Sequence, residues 1–330
     1  MSELDWPPRI DLARTPTPLE RLDRWSERLG TELWMKRDDL TGVALSGNKV
    51  RKLEFLLAEA RALGADTVIT CGGINSNHAR ATAIACARLG LRAHLVLRGT
   101  DRHPATGNLL LDRWAGAHIE LIPPDRWPSV HGSMTARADQ LTAEGRTPYL
   151  IPEGGSNGLG CMGYARAALE LLQDAATAGI RVGRVVHALG SGGTTAGLAL
   201  GFAAAKVPGI DCVGVCVADD ASTFDTKIRH IVEDSVRRGI SSWSAAHPAR
   251  WRALDGYVGP GYAQTTAADL RAHRDVARTE GIVVDPVYTG KAFSALADLP
   301  PPSDGVTIFL HTGGIFELFA FADRIDALEG

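Results

Sequence analysis

The 330-residue chain predicts an α/β fold with mostly parallel sheets. Three observations carry that reading. Short runs rich in Val, Ile and Leu alternate with longer stretches rich in Ala, Leu and Arg; Gly and Pro cluster at the junctions; and each run leads into a turn and a helix start, the order of a βαβ unit. At roughly 150 residues per domain the length allows about two domains, each able to bury a core without disulfides or metals.

Taken in order, SGNKVRKLEFLLAEARALG is an amphipathic helix in which Lys49, Leu53, Leu56, Leu57 and Ala60 share one face. Arg51, Lys52, Glu54 and Glu59 fall mainly off that stripe, where solvated charges belong. DTVITCGG is a strand of β-branched residues, and SNHARATAIACARLG is the helix after it, with Ser76 and Asn77 at the capping position. The unit recurs in LRAHLVLRG with ATGNLLLDRWAG, in AHIELIP with SMTARADQLTAEG, and in TPYLIPEGG with MGYARAALELLQDA. GRVVHALGSGG reads as a buried strand and loop, and TTAGLALGFAAA as a helix opening near Thr195. DCVGVCVA is another strand, which places Cys212 and Cys216 on one face, and GVTIFLHTGG with IFELFAFADRI closes the series.

Lys plus Arg is 35 and Asp plus Glu is 38, a net charge of −3, with no basic segment, so neither a nucleic-acid nor a membrane-surface partner is expected. No basic flank precedes an apolar run at the N-terminus, and no 18 uncharged apolar residues run together. A cytoplasmic protein is the expectation. The five cysteines form no CxxC pair and read as buried thiols, and the ten histidines form no HExxH, so no metal is expected.

Two features point to chemistry. The loop Gly190, Ser191, Gly192, Gly193, Thr194, Thr195 combines three glycines with three hydroxyls ahead of a helix, a cup for a phosphate. It is no Walker A sequence, since no Lys follows, and Thr195 stands where a GxGxxG fingerprint needs its third Gly. Asp219 and Asp220, ending the next strand, keep a ribose-binding reading partly open. The second feature is Lys49, which opens an apolar stripe; burial lowers an ammonium pKa and makes the amine nucleophilic toward carbonyls. A lysine that snorkels to water is the plain alternative, but pyridoxal phosphate needs both a phosphate cup and such a lysine. Ser76 and Asn77, Tyr288 in DPVYTGK and Thr312 in FLHTGG are polar groups at strand ends, where α/β sheets bind ligands. A rival reading takes Gly154-Gly155-Ser156-Asn157-Gly158 as GxSxG, with Asp285 and His311 following in hydrolase order. Pro152 and Glu153 separate Ser156 from its strand and glycines follow it, so the match reads as a coincidence of a Gly-rich loop.

The string MKRDDLTGVALSGNKVRKLEFL, followed in order by GGINSNHARATA, EGGSNGLG, GSGGTTAGL, DPVYTGKA and FLHTGG, resembles the D-cysteine desulfhydrase and 1-aminocyclopropane-1-carboxylate deaminase family from residue 16 to the last helix. The resemblance implies a pyridoxal-phosphate enzyme of the tryptophan-synthase-β-like fold (fold type II), with two three-layer α/β domains, and a homodimer. It implies a large domain of residues 1–51 plus 167–330 and a small inserted one of 52–166. Lys49 matches the family's Schiff-base lysine, which also moves the Cα proton, and Ser76 matches the serine over the cofactor. Asn77 matches the residue holding the pyridine O3′, and His78 the one beside the substrate carboxylate. Gly190 to Thr195 match the phosphate cup, and Tyr262 and Tyr288 two active-site tyrosines. Asn75, Ser46, Gly261 and Ala263 depart from the family pattern.

His78, Thr289 and Thr312 stand where the ring-opening deaminases of the family tend to carry Gln, Glu and Leu, which places the chain nearer the desulfhydrases. A carboxylate near the pyridine nitrogen deepens the electron sink, whereas the hydroxyls of Thr289 and Thr312 do so less. The implied reaction is β-elimination from a small amino acid, D-cysteine giving pyruvate, ammonia and sulfide. L-cysteate sulfo-lyase and 1-aminocyclopropane-1-carboxylate deaminase are the alternatives within the family, and a Ser156 hydrolase or a cofactor carrier those outside it.

Overall fold

The computed structural model describes residues 5–100, 105–207, 209–240 and 249–328. Its strands are β1 (Leu19–Arg21), β2 (Leu33–Lys36), β3 (Thr67–Gly73), β4 (Arg92–Arg98), β5 (His118–Ile122), β6 (Pro148–Leu150), β7 (Val182–Leu189), β8 (Asp211–Cys216), β9 (Trp251–Leu254) and β10 (Val306–Leu310). The helices are α1 (Asp23–Leu29), α2 (Asn48–Ala62), α3 (Asn77–Leu89), α4 (Gly107–Trp114), α5 (Val130–Ala143), α6 (Met162–Thr177), α7 (Gly193–Ala204), α8 (Ala221–Arg237), α9 (Ala267–Glu280), α10 (Thr289–Ser294), α11 (Ile315–Leu318) and α12 (Ala322–Asp326).

Two sheets result, one in the order β1-β2-β10-β7-β8-β9 and one in the order β5-β4-β3-β6. Every pairing is parallel except that of β1 with β2. A parallel sheet is covered by helices on both faces, so its strands are apolar at successive positions. Val185 of β7 joins the cluster of Tyr164, Leu198 and Phe202 from α6 and α7, and its neighbour Val186 joins Val276 and Phe293 from α9 and α10. In β3, Val68 packs with Leu53 and Leu57 of α2, and Ile69 with Val130 and Met134 of α5. Each sheet is thus the middle of three layers. All five cysteines are free and buried.

The expected strands and helices from Asp66 to Leu310 form as read, but the segment IFELFAFADRI is not one helix: α11, a 3₁₀ turn at Phe319–Phe321 and α12 divide it. The charges of α2 also depart from expectation. Arg51 is buried against Asp38 (2.8 Å) and Glu170 (2.9 Å), and Glu54 accepts the amides of Leu12 and Ala13 at 2.9 Å. Helix α2 is covered on that side by α6 and the N-terminal segment, so Arg51 and Glu54, which the apolar stripe leaves out, are paired inside the protein rather than solvated.

Candidate active site

The carboxyl ends of β3, β4, β7, β8 and β10 open onto one cavity of about 300 Å³, lined by Lys49, Ser76, Asn77, His78, Arg98, Trp127, Gly190 to Gly192, Thr194, Tyr262, Tyr288 and Thr312 among others. Ligands of such sheets sit at strand ends because the helix N-termini there aim amides at them. Lys49 is placed by a tight backbone crossing. Gly47 has φ +87°, and a Cβ there would lie 2.8 Å from the Thr312 carbonyl, which instead accepts the Asn48 amide at 3.0 Å. The Asn48 side chain donates to Thr194 Oγ1 (3.1 Å) and accepts from Lys49 Nζ (2.9 Å), so one residue ties the lysine, β10 and the β7–α7 loop together. Desolvation and the nearby Arg80 lower Lys49 to about 8, against the pull of Asp285, Glu317 and Glu153. Near neutral pH a far larger share of this amine is unprotonated than of a solvated lysine, and the unprotonated amine is the nucleophile.

The loop after β7 forms an anion cradle. Gly192 takes φ +87° and α7 begins at Gly193, so the first-turn amides have no acceptor within the helix. A Cβ on Gly193 would meet Ser156 Oγ at 2.6 Å and Lys52 Nζ at 2.8 Å. Lys52, which the sequence pattern placed in solvent, is in fact fully buried here, held by Ser156 Oγ (3.0 Å) and the Gly154 carbonyl (3.2 Å). Among the described residues no carboxylate pairs with it, and burial and Lys49 push its pKa well down. A buried ammonium beside free helix amides fits a phosphate. Thr195 turns its hydroxyl to His187 Nε2 (3.3 Å), so of the loop's three expected hydroxyls two stay at the cup: Ser191, bonded to Ser156 at 2.8 Å, and Thr194, which lines the cavity and accepts from Asn48.

Ser76 caps α3, accepting the amides of His78 and Ala79 at 3.2 Å, as a serine at a strand-to-helix junction does. Asn77 donates to Glu317 Oε2 (3.0 Å) and accepts from Asn108 Nδ2 (2.9 Å), which fixes its amide at the cavity wall. Tyr262 and Tyr288 meet hydroxyl to hydroxyl at 2.5 Å, and burial raises both phenols.

Two expectations are corrected. Thr289 does not line the cavity; it is fully buried, and its hydroxyl donates to Asp285 Oδ2 at 2.5 Å while accepting the Asp285 amide. Opening α10, it serves a turn in which Asp285 also accepts the amides of Val287, Tyr288 and Thr289. His78 reaches the cavity but offers a carboxylate neither charge nor proton. The Thr70 hydroxyl donates to the Ile151 carbonyl, so it is His78 Nε2 that donates to Thr70 over 2.8 Å, leaving Nδ1 a bare acceptor, and burial keeps the ring neutral. The hydrolase reading also fails: Ser156 bonds Lys52, Ser191 and Gly154, whereas His311 bonds the Val283 carbonyl and the Gly313 amide. The sequence reading missed Lys52, and the signal that could have found it is its spacing, three residues from Lys49 and so a neighbouring helix position. Asn48, Glu317 and Asn108 carried no such signal.

A buried amine beside a phosphate cradle in an α/β frame defines a cofactor enzyme of the pyridoxal-phosphate class. The chain belongs to the family of pyridoxal-phosphate-dependent enzymes, whose model matches residues 10–313, and it is a pyridoxal-phosphate-dependent lyase. It is 40% identical to a D-cysteine desulfhydrase of Yersinia enterocolitica over 329 residues, 96% of this chain and 97% of that one. Identity is also 40% to a bifunctional D-cysteine desulfhydrase/1-aminocyclopropane-1-carboxylate deaminase of Arabidopsis thaliana, described as mitochondrial, over 97% of this chain and 82% of that one. A crystal structure of an ACC deaminase homologue superposes with a TM-score of 0.89 at 36% identity, over 98% of this chain and 96% of that one.

Proposed function

We propose that the protein eliminates the β-substituent of a small amino acid, with D-cysteine giving pyruvate, ammonia and sulfide. The observation that carries this reading is the placement of Lys49, near a pKa of about 8, and of the Tyr262–Tyr288 pair on one cavity beside the phosphate cradle. Pyridoxal phosphate, when bound, supplies an aldehyde for the amino group and a ring that accepts the electron pair released at Cα. Lys52, Ser191 and the first-turn amides of α7 would hold its phosphate, Asn77 its phenolic oxygen, and Thr312 its ring nitrogen. Lys49 removes the Cα proton, Ser76 and the opening amides of α3 orient the substrate carboxylate, and the tyrosine pair moves a proton to or from the leaving side.

The two sheets support a division into a large domain of residues 1–51 plus 167–330 and a small one of 52–166, with both boundaries near α2 and α6. A homodimer is supported by adjoining exposed apolar groups: Leu110 and Trp114 on α4, and Ile315 and Phe319 at α11, which packs on α4. Among the described residues no helix is long and apolar enough to cross a membrane, and a cytoplasmic location accords with that.

The test is product release from the cofactor-loaded protein offered D-cysteine, L-cysteine, L-cysteate and 1-aminocyclopropane-1-carboxylate in parallel. Sulfide and pyruvate from D-cysteine, abolished in Lys49→Ala, are expected; 2-oxobutyrate from the cyclopropane alone overturns the β-elimination reading.

A further inference from the structure

Lys291 does not line the cavity and no step above uses it, yet its side chain is buried, 4% exposed. It lies three residues after Tyr288, the residue that caps α10, and so at a neighbouring position of the same helix. From there Nζ donates to the carbonyls of Val258 (2.5 Å) and Gly261 (3.1 Å). The Gly261 carbonyl belongs to the planar peptide unit that ends at the Tyr262 Cα, so a bond to that oxygen fixes the direction in which the tyrosine leaves the chain. The loop needs such a hold. Gly259 has φ +66°, and Ala263, directly after Tyr262, has φ +57°, a left-handed conformation that is costly for a residue bearing a Cβ. The Gln264 amide also closes on the Gly261 carbonyl (3.1 Å), so the turn and the ammonium share one acceptor.

Helix α10 is a firm mount for these bonds. Its opening turn is held by Asp285, which accepts the amides of Val287, Tyr288 and Thr289, and the His273 ring of α9 lies so close that a Cβ on Gly290 would meet it at 2.5 Å. Desolvation lowers the pKa of Lys291 against the pull of Asp269, Asp285 and Glu317, whose fields favour the ammonium and hence charge-assisted bonds to the carbonyls. Both members of the 2.5 Å tyrosine pair therefore trace to one short helix, Tyr288 directly and Tyr262 through Lys291. We propose that Lys291 is a positioning residue for Tyr262: by holding the Val258 and Gly261 carbonyls from α10, it keeps the two phenols in register and acts on the reaction through that pair. The inference rests on the reading that the tyrosine pair moves a proton on the leaving side, and it names the residue that keeps the pair together.

The experiment places Lys291→Met in the wild-type and Tyr262→Phe backgrounds of the holoenzyme, with Lys291→Arg as the variant that keeps the charge, and measures kcat and KM for whichever of the amino acids above the wild type turns over. The second readout is hydrogen exchange of the 256–266 amides in the cofactor-free protein, with β7 as the reference. Lys291→Met is expected to lower kcat about tenfold to a hundredfold in the wild-type background, the cost of a misplaced catalytic group, and less than about threefold where the Tyr262 hydroxyl is already gone. Lys291→Arg recovers part of the loss, KM and the cofactor absorbance stay as they were, and exchange of the Gln264 amide in Lys291→Met rises about tenfold or more. Equal losses in the two backgrounds make the effect one of general packing and overturn the proposal, as does an unchanged kcat or unchanged exchange. If Lys291→Met does not fold, Lys291→Gln, with its donors on a shorter arm, carries the same comparison. If the wild type turns over none of these amino acids the β-elimination reading fails, and unchanged exchange in Lys291→Met then overturns the hold on Tyr262 independently.

Discussion

The Lys52 ammonium lies 3.0 Å from the Ser156 hydroxyl, buried beside the first turn of α7. A buried lysine without a carboxylate destabilises the cofactor-free protein, whether it keeps its proton or gives it up, and a phosphate that lets it carry its charge is held the more strongly. Lys52→Met is therefore expected to raise the melting temperature of the cofactor-free protein and to weaken pyridoxal-phosphate binding by roughly tenfold to a hundredfold, the range for a hydrogen bond to a charged group. Titration of the cofactor-free protein, followed by absorbance, checks the affinity. Unchanged affinity removes Lys52 from the phosphate site.

The depressed pKa of Lys49 has a stability consequence with a definite sign. Between about 8 and its ordinary value of 10.5 the amine is neutral in the folded cofactor-free protein and protonated in the unfolded chain. The unfolded state then binds more protons, so this group makes stability rise with pH across that window. Lys52, shifted in the same direction, acts with the same sign from a lower pH. Denaturant unfolding of cofactor-free protein at pH 8 and pH 10 is expected to show a smaller rise in Lys49→Met than in the wild type. Glu317 raises Lys49, so Glu317→Gln should move the pH profile of cofactor capture to lower pH or leave it in place; a move upward contradicts the arrangement.

Tyr262 and Tyr288 share a hydrogen bond of 2.5 Å, so removing either hydroxyl disables the function of both. Each Tyr→Phe variant should lose about 10²-fold or more in kcat, within the range for a positioned acid or base. The double variant should lose much less than the product of the single losses, because coupled groups are not additive. Cofactor affinity, read by absorbance titration, should change little. Additive losses would show that the two phenols act separately.

The sequence carried the frame of this site further than its wiring. β-branched runs ending in Gly-rich turns exposed β3, β7 and β10, and hence the placement of Ser76, Gly190 and Thr312 at strand ends, because parallel strands buried on both faces have an unmistakable composition. Short or irregular elements such as β1, β9 and α10 carry too few residues for a period to register. Hydrogen-bond partners were illegible for a different reason. The Asn77–Glu317 contact joins residues 240 positions apart, and nothing local to Glu317 in IFELFAF distinguishes it from a solvated helix charge. Polarity misled in the same way at Arg51, Lys52 and Thr289, each buried because packing from distant segments supplied partners.

Thr289 and Thr312 separate these two kinds of information experimentally. Thr312 lines the cavity at the end of β10, whereas Thr289 is sealed behind Tyr288, its hydroxyl one of the donors holding the Asp285 carboxylate. Thr289→Val leaves a buried acceptor one donor short, a loss of about 1–3 kcal/mol that denaturant unfolding of the holoenzyme should register. Because the same turn positions Tyr288, kcat should fall in that variant while the ratio between amino-acid substrates stays as it was. Thr312→Val should do the reverse, leaving stability within about 1 kcal/mol and changing the cofactor's absorbance, since a hydroxyl at the cavity wall is lost without stranding a buried partner. A Thr289→Val variant with wild-type stability and an altered substrate ratio would return Thr289 to the substrate site and reverse the assignment made from its bonds to Asp285.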